Sequence, residues 1–163
     1  MRVHPVIVLQ ILTLLALANG MPVIAKDIVG RSFAKPIDGG AKFVDGRPVL
    51  GSSKTVRGIL LSILITSFGP LVGIDWKIGA LVASVAMAGD LVSSFLKRRM
   101  NIPVGGKATG LDQVPESLFP LLTCRAALSL TALAIVIGTV VFFVGGLLLS
   151  RLLYHFHLRD RPY

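Results

Sequence analysis

Asp90, Ser94 and Lys97 fall at positions i, i+4 and i+7, a spacing that puts a carboxylate, a hydroxyl and an ammonium on one face of a helix. Asp90 follows Ala86-Met87-Ala88-Gly89 inside an apolar run, one to two turns before Lys97-Arg98-Arg99. An ionisable group in such a run is costly, so it is read first as functional and second as one half of an internal salt bridge to Lys97 or Arg98. A second concentration runs through Lys35-Pro36-Ile37-Asp38-Gly39-Gly40, Asp45-Gly46-Arg47 and Gly51-Ser52-Ser53-Lys54-Thr55-Val56-Arg57-Gly58. Glycines beside Lys and Ser/Thr let backbone amides and an ammonium surround phosphate oxygens. Gly46 and Gly51 followed by Lys54-Thr55 imitate a P-loop, but two extra residues separate the second glycine from the lysine. The alternative is a solvated basic loop that only fixes orientation. Three aspartates, Asp27, Asp38 and Asp45, among the cations of 26–57 favour an anion and metal site. A third stretch, Gly105-Gly106-Lys107 then Gly110-Leu111-Asp112-Gln113, ends on an acid at a helix start. Helix capping and metal ligation both explain Asp112.

The elements that carry these groups are apolar. Of 163 residues 53% are hydrophobic and 15% charged, against about 25% charged in soluble domains. Runs at 6–25, 58–74, 78–98 and 126–156 read as membrane helices, and the short stretch 113–124, with Glu116 and Pro120, as a fifth. The expected fold is all-α: one polytopic integral-membrane domain over 1–163, with about five transmembrane helices and long cytoplasmic loops at 26–57 and 97–112. Loop 26–57 holds seven basic residues, the stretch from Lys97 to Gln113 four and the tail after Ser150 three, leaving Arg2, Lys77 and Arg125. Five crossings with the N-terminus outside put fourteen cations inside and three outside, as the positive-inside rule requires; four would strand the tail. Arg2 and Ala16-Leu17-Ala18 also suit a cleavable signal peptide. Cleavage would put the seven-cation loop outside, so the first run is taken as a membrane helix.

The remaining residues narrow the classes. A single Cys124 excludes an internal disulfide and a cysteine-rich metal site, and no HExxH motif suggests zinc. The net charge of +9 lies beside the membrane runs, which points to anionic lipids or nucleotides rather than nucleic acid. His155 and His157, with Trp76, Tyr154 and Tyr163, suit membrane boundaries, and Gly138, Gly145 and Gly146 suit close helix packing.

Taken together, Lys35-Pro36-Ile37-Asp38, Asp45-Gly46-Arg47, Leu50 to Gly58, Gly89-Asp90-Leu91-Val92-Ser93-Ser94-Phe95-Leu96-Lys97-Arg98-Arg99 and Leu111-Asp112-Gln113 resemble the CDP-archaeol synthase family. That family is a branch of the membrane CTP-dependent lipid-phosphate cytidylyltransferases, related to the CDP-diacylglycerol synthases. The resemblance covers the chain from about Asp27 onward. It implies five membrane helices and a Mg2+-dependent transfer of CMP from CTP to a glycerolipid phosphate, releasing pyrophosphate. By the same resemblance Asp90 and Asp112 are metal ligands and, with Lys54 and Lys97, catalytic. Asp38, Lys54, Thr55 and Arg57 hold the nucleotide, joined by Lys35, Asp45, Gly51 and Ser53, while Lys97 and Arg98 meet phosphates. Implied partners are CTP, an archaeol-type or phosphatidate-like lipid phosphate and the bilayer of the cytoplasmic (inner) membrane, with the site facing the cytoplasm. Association into a homo-oligomer is left open. Two departures stand out: Pro115-Glu116 follows the acidic motif where relatives stay apolar, and the tail Leu158 to Tyr163 exchanges an apolar residue for arginine and tryptophan for tyrosine.

Three rivals remain at this level. A small transporter could use Asp90 as an ion relay, but that leaves the glycine- and lysine-rich loops unexplained. A non-catalytic membrane protein could bind anionic headgroups through its loops. A CDP-alcohol phosphotransferase would need a spaced aspartate run that the chain lacks.

Overall fold

Four of the five α-helices start where the sequence supplies a start signal. A computed structural model describes residues 4–30, 34–106 and 108–155; Arg2, Arg31, Lys107 and the tail from 156, His157 and Tyr163 included, lie outside them. Pro5 opens α1 (Pro5–Val29), whose last turn continues past the apolar run through Lys26 until Gly30, at φ 60°, stops it. Thr55 caps α2 (Val56–Thr66) by accepting the Gly58 N–H at 3.2 Å. Asp75 does the same for α3 (Trp76–Arg99), taking the Lys77 N–H at 2.8 Å. α4 covers Gln113–Thr123, and α5 covers Ala132–His155 behind Thr131, which accepts the Ala134 N–H at 3.1 Å.

Three boundaries differ from the expectation, each for a local reason. The 58–74 run is not one helix: Gly69-Pro70 breaks it, and a single 3-10 turn, Gly69–Val72, follows α2. Lys97, Arg98 and Arg99 continue α3 instead of opening a loop. α5 starts six residues later than 126, because Leu128 and Leu130 donate back to Cys124 and Arg125 and close a turn first.

α1 supplies Ile11, Leu14, Leu15 and Ala18 to the core, and α3 meets them with Val82, Ala83 and Ala86. Small residues bring neighbours close. A Cβ on Gly79 would overlap the Thr66 carbonyl oxygen, fixing the α2–α3 approach. Ser62 donates to the Ala18 carbonyl at 2.7 Å and ties α2 to α1. Gln10, near the start of α1, donates to the Val72 carbonyl at 2.7 Å, so α2 runs back along α1. The outward face is apolar as well: Leu9, Leu64, Val136 and Leu148 are more than half exposed. Water would penalise such a surface, and lipid would not. α1, α3 and α5 are long and apolar enough to cross a membrane, whereas α2 is a shorter apolar helix.

The loop between α1 and α2 is folded. Ile37 N–H donates to the Lys54 carbonyl at 2.9 Å and Val56 N–H to the Lys35 carbonyl at 3.1 Å, which pairs the loop's two ends. Its tip, the end of α3 and the start of α4 meet at one end of the bundle, and Gly146 of α5 lies against Gln113 there.

Candidate active site

Two lysine–aspartate pairs organise that end. Lys54 donates to both oxygens of Asp90, at 2.6 and 2.5 Å. Lys97 pairs with Asp112 at 2.6 Å and donates to the Gly106 carbonyl at 3.2 Å. Positions 90 and 97 are two turns apart on α3, roughly 10 Å at 1.5 Å per residue. The internal bridge from Asp90 to Lys97 or Arg98 is therefore not formed, since Asp90 reaches across to the loop instead. Capping does not explain Asp112 either, because its side chain caps no amide of α4; it accepts the Ala108 N–H at 3.2 Å and faces Lys97.

Two buried residues of α3, Ser94 and Arg98, carry donors without hydrogen-bond partners. Arg98 is 5% exposed, and neither its Nε nor its Nη1 has a hydrogen-bond partner. Ser94 is 1% exposed with an unpartnered hydroxyl. A buried guanidinium left unsatisfied is costly. It fits a place where an anion binds, since its fork matches phosphate oxygens.

The loop's own acids turn inward. Asp38 accepts N–H bonds from Leu50 and Gly51 through one oxygen, at 2.9 and 2.8 Å, and from Gly40 through the other, at 3.0 Å. Burial alone would raise the Asp38 pKa, but the amides of Gly51, Gly40 and Leu50 outweigh it and hold the carboxyl below 3.8. Gly51 has φ 97°, and a Cβ there would come within 2.7 Å of Val104, so glycine lets the loop lie on the 101–106 segment. Asp45 accepts from Arg99 at 2.6 Å, and Arg99 also donates to the Pro48 carbonyl at 2.6 Å. The Arg99 guanidinium lies 4.7 and 5.0 Å from the rings of Phe43 and Phe95, clasping the loop to α3.

The other expected residues are spread around this centre. Thr55 spends its hydroxyl on the α2 cap, Ser53 is exposed, and Arg57 donates to the Gly30 carbonyl at 3.0 Å. Lys35 and Arg57 face an open cavity on the α2 side of the loop.

Glu116 belongs to the centre, although the sequence marked it only as a departure and not as a site residue. Its carboxyl lies beside that of Asp90, in the fields of Asp90, Lys54 and Asp112. Gly89 makes this contact possible: a Cβ there would sit 2.5 Å from the Pro115 carbonyl oxygen, so only glycine admits the first turn of α4. The rule that marks Asp90, an acid inside an apolar run, marks Glu116 equally well.

An all-helical membrane protein with a cluster of charged side chains built by a folded loop and two helix ends is the class these features define. The sequence profile of the CarS-like CDP-archaeol synthases matches residues 5–163, and the chain belongs to the CDP-archaeol synthase family. The CDP-archaeol synthase of Hyperthermus butylicus is 38% identical over 127 residues, 74% of this chain and 72% of that protein. That of Saccharolobus solfataricus is 40% identical over 88 residues, 48% of this chain and 51% of the relative; the chain thus spans about half the length of the Saccharolobus relatives it matches. A solved structure of an intramembrane enzyme for archaeal membrane lipid biosynthesis aligns with a TM-score of 0.74 at 28% identity, covering 86% of this chain and 90% of that one.

Proposed function

We propose that the chain is a CTP:lipid-phosphate cytidylyltransferase that transfers CMP from CTP to an archaeol-type glycerolipid phosphate, giving a CDP-lipid and pyrophosphate. One observation carries the reading beyond family membership. Two lysines held by aspartates and a buried, unsatisfied Arg98 converge on one end of the bundle, where a triphosphate would find both cations and carboxylates. An oxygen of the lipid phosphate attacks the α-phosphorus in line; the new P–O bond forms as the bond to the bridging oxygen of pyrophosphate breaks. Such a transfer depends on positioning and charge neutralisation. Lys54 and Lys97 offset phosphate charge as point cations, and Arg98 offers a planar fork.

The donor set suits Mg2+, which takes one or two carboxylates with water and substrate phosphates. Among the described residues no three acidic, histidine or cysteine groups gather on one point, so Asp90 and Asp112 would hold the ion together with the nucleotide. Mg2+ would supply charge withdrawal from the α-phosphate.

In this reading α2 with its 3-10 turn and α4 complete five crossings, the N-terminus is outside, and the site faces the cytoplasm in the cytoplasmic membrane. The α2–α1 return and the clustering of the loops at one end support it. Purified protein with Mg2+, labelled CTP and a panel of lipid phosphates tests the activity. A labelled CDP-lipid is expected; pyrophosphate release without it means a nucleotide hydrolase, and ion flux in liposomes without CTP means a transporter.

A further inference from the structure

Among the described residues two ion pairs tie the loop between α1 and α2 to α3, Lys54–Asp90 and Arg99–Asp45. Positions 90 and 99 are nine residues apart, roughly 13 Å along the helix at 1.5 Å per residue. Ser94, Lys97 and Arg98, all buried, occupy the stretch of α3 between them.

The second attachment is made by two arginines that cross. Residues 41–49 form a small hairpin: Val49 N–H donates to the Ala41 carbonyl at 2.9 Å and Phe43 N–H to the Arg47 carbonyl at 2.8 Å. Arg99 reaches from α3 into this hairpin and donates to Asp45 and to the Pro48 carbonyl, both at 2.6 Å. Arg47 reaches back and donates to the Arg99 carbonyl at 2.7 Å. The last four carbonyls of a helix have no partner inside it. In α3 the amides of Met100, Ile102 and Asn101 take those of Leu96, Lys97 and Arg98, and the loop supplies the partner for the fourth. A cation suits that place, because the helix dipole is negative there. Phe43 and Phe95 meet edge to face with ring centres 5.3 Å apart, and the Arg99 guanidinium lies against both. A lone exposed ion pair contributes little; here one guanidinium joins an acid, a carbonyl and two rings.

The proposed chemistry treats the two attachments differently. Asp90 has to turn to the ion and Lys54 to phosphate, so their bridge opens as substrate enters. The Arg99 attachment contains no group that the transfer uses, and it can stay closed. Pro48 lies six residues before Lys54, and Asp38 holds the Leu50 and Gly51 amides in between, so whatever seats the hairpin also sets where Lys54 begins. We infer that Arg99 and Arg47 are positioning residues, which keep the loop on α3 while Lys54 passes from Asp90 to the nucleotide. The inference deepens the cytidylyl-transfer reading and rests on it for the phosphate role of Lys54. It moves Asp45 from the nucleotide to Arg99. A loop seated in advance raises the fraction of protein ready to take CTP, and apparent affinity scales with that fraction.

The test uses detergent-purified full chain with CTP, Mg2+ and a short-chain diether lipid phosphate. Arg99→Gln and Arg47→Gln each raise the KM for CTP at least tenfold and leave kcat within twofold. The double variant goes no more than threefold beyond either single one, because both residues serve one attachment. Asp45→Ala raises KM on its own and adds no more than twofold in an Arg99→Gln background, whereas an aspartate that touched the nucleotide would act in both. Hydrogen exchange at the Phe43 and Val49 amides accelerates at least tenfold in Arg99→Gln and slows again in saturating CTP with Mg2+, a recovery that a merely structural contact would not show. Unchanged KM overturns the inference, whether or not kcat or the unfolding temperature falls. Raised KM with hairpin exchange unchanged overturns it as well, since Arg99 would then meet the nucleotide itself. Wild type that makes no CDP-lipid, with an Arg99→Gln variant that regains protection in CTP, removes the transfer reaction and leaves the positioning role. CDP-lipid synthesis indifferent to all three substitutions removes the positioning role and leaves the reaction.

Discussion

The Lys54 ammonium lies 2.6 and 2.5 Å from the two oxygens of Asp90, a residue 36 positions away in the chain. Both side chains are largely withdrawn from solvent, with 21% and 17% exposure, so each charge depends on the other for compensation. The bridge links the folded loop to α3. It also keeps an ammonium and a carboxylate together at the place where the proposed chemistry needs both.

Asp90→Asn and Lys54→Ala should each lower CDP-lipid synthesis by 10²–10³, a barrier increase of about 2.7–4 kcal/mol by analogy with the loss of an oxyanion donor. The protein should still fold in membranes, because helix packing does not pass through this pair. Labelled CTP turnover checks the first outcome and thermal unfolding the second. Wild-type rates in either variant would take that residue out of the site.

Chelation with EDTA should stop synthesis, and added Mg2+ should restore it. Asp112→Asn should raise the Mg2+ concentration for half-maximal rate at least tenfold, since an ion shared with substrate phosphates loses one of two carboxylates. A Mg2+ titration of wild type and variant decides this. Unchanged Mg2+ demand with a lowered rate would mean that Asp112 serves only to hold Lys97.

Gly89→Ala tests how Glu116 and Asp90 are brought together. The added methyl would meet Pro115 backbone atoms at 2.5 and 2.7 Å, and a backbone cannot swing aside as a side chain does. Overpacking of this kind costs about 1–3 kcal/mol, so the unfolding temperature in detergent should fall measurably. An unchanged temperature would show that α3 and α4 have slack at their crossing.

Much of this was legible in sequence and the rest was not, for physical reasons. The long apolar runs and the acid inside one of them signal themselves locally, since a membrane helix must be continuous and a buried charge is rare. Pairings are different. That Lys54 takes Asp90 and Lys97 takes Asp112 depends on how α3, α4 and the loop pack, and the nearness of Lys97 and Arg98 in the sequence had offered an internal bridge from Asp90 that the structure replaces. Asp38 and Asp45 read as ligands because acids among glycines and lysines do so by composition. In the structure their carboxylates meet loop amides and Arg99, 54 positions from Asp45. Glu116 was visible as a departure, but its meaning required the Gly89 crossing.

Asp38 gives a pH dependence with a definite sign. Its folded pKa lies below 3.8, so its stabilisation is complete above the unfolded value and is lost as pH falls through the lower folded value. Hydrogen exchange at the Gly40, Leu50 and Gly51 amides, corrected for intrinsic rate, should stay protected from neutral pH down to about 4 and accelerate below. Asp38→Ala should remove that protection at neutral pH, a loss of about 1.5–3 kcal/mol for hydrogen bonds to a charged acceptor. Equal protection in the variant at pH 7 would show that the carboxylate does not pin the loop.

Topology yields to cysteine labelling. Cys124 is fully buried, so a Cys124→Ser background leaves no native thiol. Val44 at the loop tip is 96% exposed and Leu71 in the 3-10 turn is 84% exposed, which makes both positions reachable by a membrane-impermeant maleimide. Five crossings with the site inside require Leu71→Cys to react in intact cells and Val44→Cys only after the membrane is opened. The charge distribution demands the same orientation, because the loop that holds Val44 carries most of the cations ahead of α2. Reaction of Val44→Cys in intact cells would turn the site outward, away from cytoplasmic CTP. Equal reaction of the two would mean that α2 re-enters without crossing.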